Sequence, residues 1–151
     1  MTNLMLKQKP DLDPSPSLTG VQVLLVEDEP DIAALLVLVL ETAGAAVTAC
    51  TDAETALARI EALQPDILLC NVKLPLHDGD WLMQQIRRHT CSALRQLPAI
   101  ALTSHTRDVS KFKALEAGFD HFLVKFETSV VDEIIRLLST GSSSRLRNRE
   151  I

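Results

Sequence analysis

Aromatic side chains are almost missing from this chain, which has no Tyr, one Trp and four Phe in 151 residues. Any core must therefore be built from Leu, Val, Ile and Ala. Cysteine is scarce too. The three Cys show no metal-ligand spacing, which argues against a disulfide framework and a zinc site and fits a reducing compartment. Basic charge is not in excess: 15 Lys and Arg against 20 Asp and Glu give a net charge of −5. The broad basic face of a nucleic-acid binder is not expected. No apolar run approaches the ~18–20 residues of a spanning helix, and the start lacks the charged-then-apolar pattern of a signal peptide. A cytoplasmic protein with no nucleic-acid or membrane partner is the expectation. The remaining composition, 46% hydrophobic and 23% charged, is ordinary for a globular protein. The length suits one domain, since domains run roughly 100–150 residues at the mode.

Residues 1–20 alternate Pro10, Pro14 and Pro16 with Asp and Ser, which reads as a flexible extension. Residues 140–151 read as a Gly/Ser linker followed by a basic tail with Arg145, Arg147 and Arg149. Between them, residues 21–139 alternate short apolar runs with helical stretches. Val21–Val26, Ala46–Cys50, Asp66–Cys70, Ala99–Leu102 and His121–Val124 read as strands. Helices are expected from Pro30 to Thr42, over Ala53–Leu63, Trp81–His89 and Asp108–Ala117, and over Ser129–Leu138. Pro30 suits a helix start, Gly44 a helix stop, and Asp52 an N-cap. In the second helix, Ala56, Leu57, Ile60 and Leu63 share one face. Five strands, each followed by a helix, give a (βα)5 α/β fold with a doubly wound parallel sheet. The leading architecture is flavodoxin-like, in the order 2-1-3-4-5. In such sheets the site lies at the carboxyl ends of the strands.

Those ends carry Glu27-Asp28, Asn71, Thr103-Ser104 and Lys125. Vicinal carboxylates suit a hard divalent cation such as Mg²⁺, while a hydroxyl and an ammonium beside them suit an anion such as phosphate. No G-x-G-x-x-G or P-loop is present, so nucleotide chemistry is not expected. His77, His89, His105 and His121 are scattered without a carboxylate or Ser at triad or metal spacing, and read as surface or loop residues. Cys50 and Cys70 read as small buried side chains.

Four ordered segments carry a resemblance: VLLVEDEPD, PDILLCNVKLPLHDG, PAIALTSHT and ALEAGFDHFLVKF. They resemble the receiver domains of two-component response regulators, from about Val21 to Leu138. The resemblance implies that Glu27 and Asp28 are the Mg²⁺ acids, with Asp28 the direct ligand and the Lys73 carbonyl a further one. It implies that Thr103 bonds a phosphoryl oxygen, that Lys125 pairs with it, and that Phe122 occupies the rotameric switch position. A histidine kinase or a downstream regulator is the implied partner.

The chain departs from the family pattern at three positions. Asn71 stands at the phosphoacceptor position, where the family has Asp, and an amide has no nucleophilic carboxylate. Phe126 replaces the Pro that usually follows the lysine. Lys73 puts a cation beside the pocket. The reading is a stand-alone receiver module that is not phosphorylatable as written, binds Mg²⁺ only weakly and acts by protein–protein contact. Two alternatives stand beside it: a phosphoaccepting receiver carrying an engineered Asp-to-Asn change, and an oligomerisation module with a vestigial pocket. Without Pro, a trans Lys125–Phe126 bond is expected, swinging the loop and aiming Lys125 away from the pocket.

The first helix carries nine consecutive apolar residues, Ile32 to Leu40. Ile32, Leu35, Leu36, Val39 and Leu40 make the expected inward set. That leaves Ala34, Val37 and Leu38 as an outward apolar face for docking or homodimerisation.

Overall fold

The computed structural model describes residues 17–104, 108–126 and 129–141. The expectations for residues 1–16, His105 and the tail from residue 142 lie outside the described residues. Five parallel strands are present: β1 (Gln22–Val26), β2 (Ala46–Cys50), β3 (Ile67–Asn71), β4 (Ala99–Thr103) and β5 (His121–Val124). The sheet order is β2-β1-β3-β4-β5, the doubly wound arrangement expected. The connections are α1 (Pro30–Thr42), α2 (Ala53–Leu63), α3 (Gly79–Arg87), the single turn α4 (Ser92–Arg95), and α5 (Asp108–Ala117). The last helix, α6 (Val130–Arg136), runs into a π-helical turn over Leu137–Gly141.

Local chemistry sets these boundaries. Pro30 occupies the first turn of α1, where a missing N–H costs nothing, and Gly44 follows its end at φ +106°. Asp52 caps α2 by accepting the Thr55 N–H at 2.7 Å, and that bond holds its carboxyl below the usual range. Asp78 caps α3 in the same way through the Trp81 N–H, at 3.2 Å. Helix α3 therefore starts two residues earlier than expected. The turn α4 falls in a stretch expected to be a loop, since four residues are too few to show a helical period.

The pleat sends alternate residues of the central strands into two cores. Val23, Leu25, Ile67, Leu69, Ile100 and Leu102 pack with Leu36 and Leu40 of α1 and Ile134 of α6. Leu24, Val26, Leu68, Cys70, Ala99 and Ala101 meet α2, α3 and α5 on the other face. The first core also takes in Leu18, which is buried, and its N–H donates to the Ala43 carbonyl at 2.7 Å. The packed chain thus begins before position 21, inside what reads from sequence as an extension.

Helix α1 corrects an expectation. Leu36 and Leu40 are buried, but Leu35 and Val39 are exposed. Val37 is half-buried against the core instead of facing outward. A run of nine apolar residues has no polar side to fix its rotation, so its facing set cannot be read from pattern. The outward stripe is Ala34, Leu35, Leu38 and Val39.

Candidate functional site

Glu27 and Asp28 follow directly on β1. The Glu27 N–H donates to the Cys50 carbonyl at 3.0 Å, one step beyond the ladder, and fixes the side chain in the interior. Glu27 is almost wholly buried, while Asp28 is half-buried. Asn71 ends β3 and Thr103 ends β4, and both are buried. The chain then turns under Asn71. The Gly79 N–H donates to the Val72 carbonyl at 2.9 Å, and a Cβ at Gly79 would lie 2.6 Å from the Asn71 carbonyl oxygen. Only glycine permits that close approach.

The side chains converge. Asn71 Nδ2 donates to Glu27 Oε2 at 3.3 Å and to Asp28 Oδ1 at 3.2 Å. Glu27 Oε2 also accepts the Glu29 N–H at 3.1 Å. Lys125 Nζ stands 2.7 Å from Glu27 Oε1, with both side chains almost completely buried. The pocket therefore satisfies its acids from within, by an amide and an ammonium.

Lys125 corrects a second expectation. Its peptide bond to Phe126 is trans, as expected without Pro, yet the side chain points into the pocket. The Lys125 N–H donates to the Thr103 carbonyl at 2.7 Å, which carries the strand direction past Val124. Phe126 then absorbs the turn at φ +64°, with its ring exposed. With the turn taken at Phe126, Lys125 stays in the pocket although its peptide bond is trans.

The remaining predicted positions fall around this centre. Phe122 is half-buried on β5, opposite Ala101. Lys73 is exposed, so its ammonium stands outside the buried cluster. Leu76, in the β3–α3 loop, is 88% exposed at φ +67°, a large apolar side chain on the rim that no sequence pattern singles out. Cys70, beneath the pocket, is fully buried, and burial together with nearby carboxylates pushes its thiol well above the usual range.

The described histidines lie in loops or on the outer strand β5, and each faces a carboxylate that is distant in sequence. His89 Nε2 lies 2.9 Å from Glu61 Oε2, His77 Nε2 3.5 Å from Glu54 Oε2, and His121 Nδ1 3.6 Å from Glu133 Oε1. His77 also stacks on Trp81, with centroids 3.9 Å apart. Sequence separation hid these contacts.

A hard divalent cation wants oxygen ligands with unspent charge. Here Asn71 turns its N–H groups toward both carboxylates, and Lys125 already neutralises Glu27. Among the described residues no three His, Cys, Asp or Glu side chains gather around one point. The arrangement fits a tightly held cation poorly. Also among the described residues, no helix is long and apolar enough to cross a membrane.

A five-stranded sheet in this order, with acids, an amide, a hydroxyl and a lysine at its carboxyl edge, defines a receiver-type signalling fold. The profile of the response regulator receiver domain matches residues 23–136, and the chain belongs to that family. It is 36% identical over 122 residues to the uncharacterized 14.6 kDa protein in the sodA1 3′ region of Leptolyngbya boryana, covering 81% of this chain and 90% of that one. It is 30% identical over 136 residues to the alkaline phosphatase synthesis transcriptional regulatory protein PhoP of Bacillus subtilis, covering 86% of this chain. The match spans only 55% of PhoP. Among solved structures, the receiver domain of the sensor histidine kinase PA1611 from Pseudomonas aeruginosa superposes with a TM-score of 0.70 at 29% identity. That match covers 83% of this chain and 99% of the other, which was crystallised with a magnesium ion coordinated in its active-site cleft. The protein is a receiver domain of two-component signalling.

Proposed function

We propose that this receiver works without phosphoryl transfer and signals by protein–protein contact, with a histidine kinase or a downstream regulator as partner. The observation that carries this reading is the Asn71 amide, bonded at once to Glu27 and Asp28 beside the Lys125–Glu27 ion pair. An aspartyl phosphate needs a carboxylate oxygen as nucleophile, and position 71 offers none. The amide also removes one negative charge from the cation site. At ~4 Å and an effective dielectric near 20 one negative charge attracts a divalent cation by about 8 kcal/mol before desolvation is subtracted, so its loss leaves Mg²⁺ weakly bound. It would be held by Asp28 and Glu27, with the Lys73 carbonyl completing the set and the Asn71 amide turned to present its oxygen. Thr103, Lys125 and Phe122 keep their places as framework for a partner surface that is formed without phosphate.

The test compares this chain with its Asn71→Asp variant, each incubated with Mg²⁺ and a small phosphodonor such as acetyl phosphate. Intact mass should show a phosphoryl adduct on the variant alone. Calorimetry should show Mg²⁺ binding at least about tenfold weaker for the unaltered chain, a difference of ~1.4 kcal/mol. An adduct on the unaltered chain, or sub-millimolar Mg²⁺ affinity there, would sink the reading.

A further inference from the structure

The outer strand β2 is paired on one side only, with β1. The Ala46 N–H donates to the Val21 carbonyl at 2.9 Å, and the Cys50 carbonyl accepts the Glu27 N–H at 3.0 Å, so both residues turn their backbone groups toward β1. Parallel pairing alternates that direction from residue to residue, which aims the N–H and C=O of Val47 and Ala49 away from the sheet. Among the described residues no strand lies beyond them. Ala46 and Ala49 are exposed, and Val47 and Thr48 are half-buried.

A row of outward N–H and C=O groups is a template for another strand, and natural outer strands are commonly blunted by charge, proline or a bulge. Strand β2 has none of these: its register with β1 is regular, and from Thr42 to Thr51 the chain carries no charged residue and no Pro. The other outer strand, β5, is bracketed by Asp120 and Lys125 and carries His121. An uncharged row offers a charged partner nothing to read, but it matches itself. In an antiparallel pair centred on Thr48, each Val47 lies opposite an Ala49 and exchanges both N–H···O bonds with it. Four hydrogen bonds close across a twofold axis, with Thr48 facing its own counterpart. Charge at the carboxyl end of the strand does not oppose this. Arg59 Nη1 reaches Cys50 Sγ at 4.0 Å, and the pairing puts the two Cys50 residues at opposite ends. They stand about 13 Å apart along the strands at ~3.3 Å per residue, beyond the screening length of roughly 8 Å at physiological salt.

We propose that two copies of this chain pair β2 to β2, antiparallel, and join their five-stranded sheets into one continuous sheet. The twofold axis sends the carboxyl ends of the two sets of strands in opposite directions. Both pockets therefore stay open, and the dimer presents two of them back to back to separate partner molecules. The pairing uses no group of the pocket and is independent of whether position 71 accepts phosphate.

Concentration tests it in the unaltered full chain. Between about 10 μM and about 1 mM, amide exchange at Val47 and Ala49 should slow by about tenfold, while Thr48, which already faces β1, should hardly change. Sedimentation over the same range should show a dimer. Ala49→Lys places a charge in the row at an exposed position, and should leave a folded monomer whose exchange no longer depends on concentration. A chain still monomeric at about 1 mM would overturn the proposal. So would a dimer in which Val47 and Ala49 exchange at a rate independent of concentration, or one that survives Ala49→Lys.

Discussion

The two edges of the sheet bury charge in opposite ways. At the amino-terminal edge, Arg87 closes a structural clamp. Its Nε and Nη2 donate to the Gly118 carbonyl at 3.0 and 2.7 Å, and its Nη1 to the Arg95 and Leu97 carbonyls at 3.0 and 2.7 Å. Nη2 also faces Asp120 Oδ2 at 3.3 Å, and that oxygen takes the Ala99 N–H at 2.9 Å. One guanidinium thus ties the end of α3 to the entrances of β4 and β5. At the carboxyl-terminal edge, one ammonium and one amide serve two acids, with exposed loops on either side. Backbone carbonyls cannot change partners easily, whereas side chains at strand ends can. The first edge is built for stability and the second for exchange of partners.

Removing the cation at each edge is the strongest way to break this comparison. Arg87→Met strips three part-buried carbonyls and Asp120 together, and should cost about 4 kcal/mol. Lys125→Met leaves Glu27 with its bonds to Asn71 and Glu29, and should cost about 2 kcal/mol. Urea denaturation of both variants gives the ranking. Equal losses would mean that the pocket is as structural as the clamp.

Phe126 sharpens the comparison with a smaller effect. A left-handed backbone costs a residue with a side chain about 1 kcal/mol, a cost glycine escapes. Phe126→Gly should therefore leave stability unchanged or raise it by up to about 0.5 kcal/mol, after the entropy of the freer unfolded chain is subtracted. Phe126→Pro restores the residue usual in the family but cannot reach φ +64°, and should destabilise by at least about 1 kcal/mol. If the Pro variant is the more stable, the turn after Lys125 is not held by its left-handed residue.

Much of this was legible in the residues themselves. Apolar runs separated by Gly44 and Asp52 placed the strands, because each marker acts on the backbone next to it. The pocket was legible because parallel strands bring their carboxyl ends together, so Glu27, Asp28, Asn71, Thr103 and Lys125 had to be neighbours. Who pairs with whom was not. Lys125 choosing Glu27, and His89 meeting Glu61 across 28 positions, depend on rotamers and packing that no local pattern encodes. Leu18 escaped for a related reason: a single apolar residue among Pro and Ser has no periodicity, and only the end of α1 reveals its slot.

Asp80 gives the smallest effect and the finest probe of the exchangeable edge. It lies in the first turn of α3, with Oδ1 buried and lacking a hydrogen-bond partner among the described residues. Burial and the charge of Asp78 push its carboxyl above the usual range, while Lys113 pulls it back. A carboxyl whose folded pKa is raised contributes stability below its unfolded pKa and loses it as pH rises through the folded value. Ionised Asp80 therefore strains the fold at neutral pH. The helix N-terminus favours that same charge by ~0.3–1 kcal/mol, so the net cost is small. Asp80→Asn should shift the urea midpoint upward at about pH 7 and lose that advantage at about pH 3, where both carboxyl and amide are neutral. An equal shift at both pH values would place the effect in packing instead of charge, and the carboxyl-terminal edge would then hold its acids at no electrostatic cost.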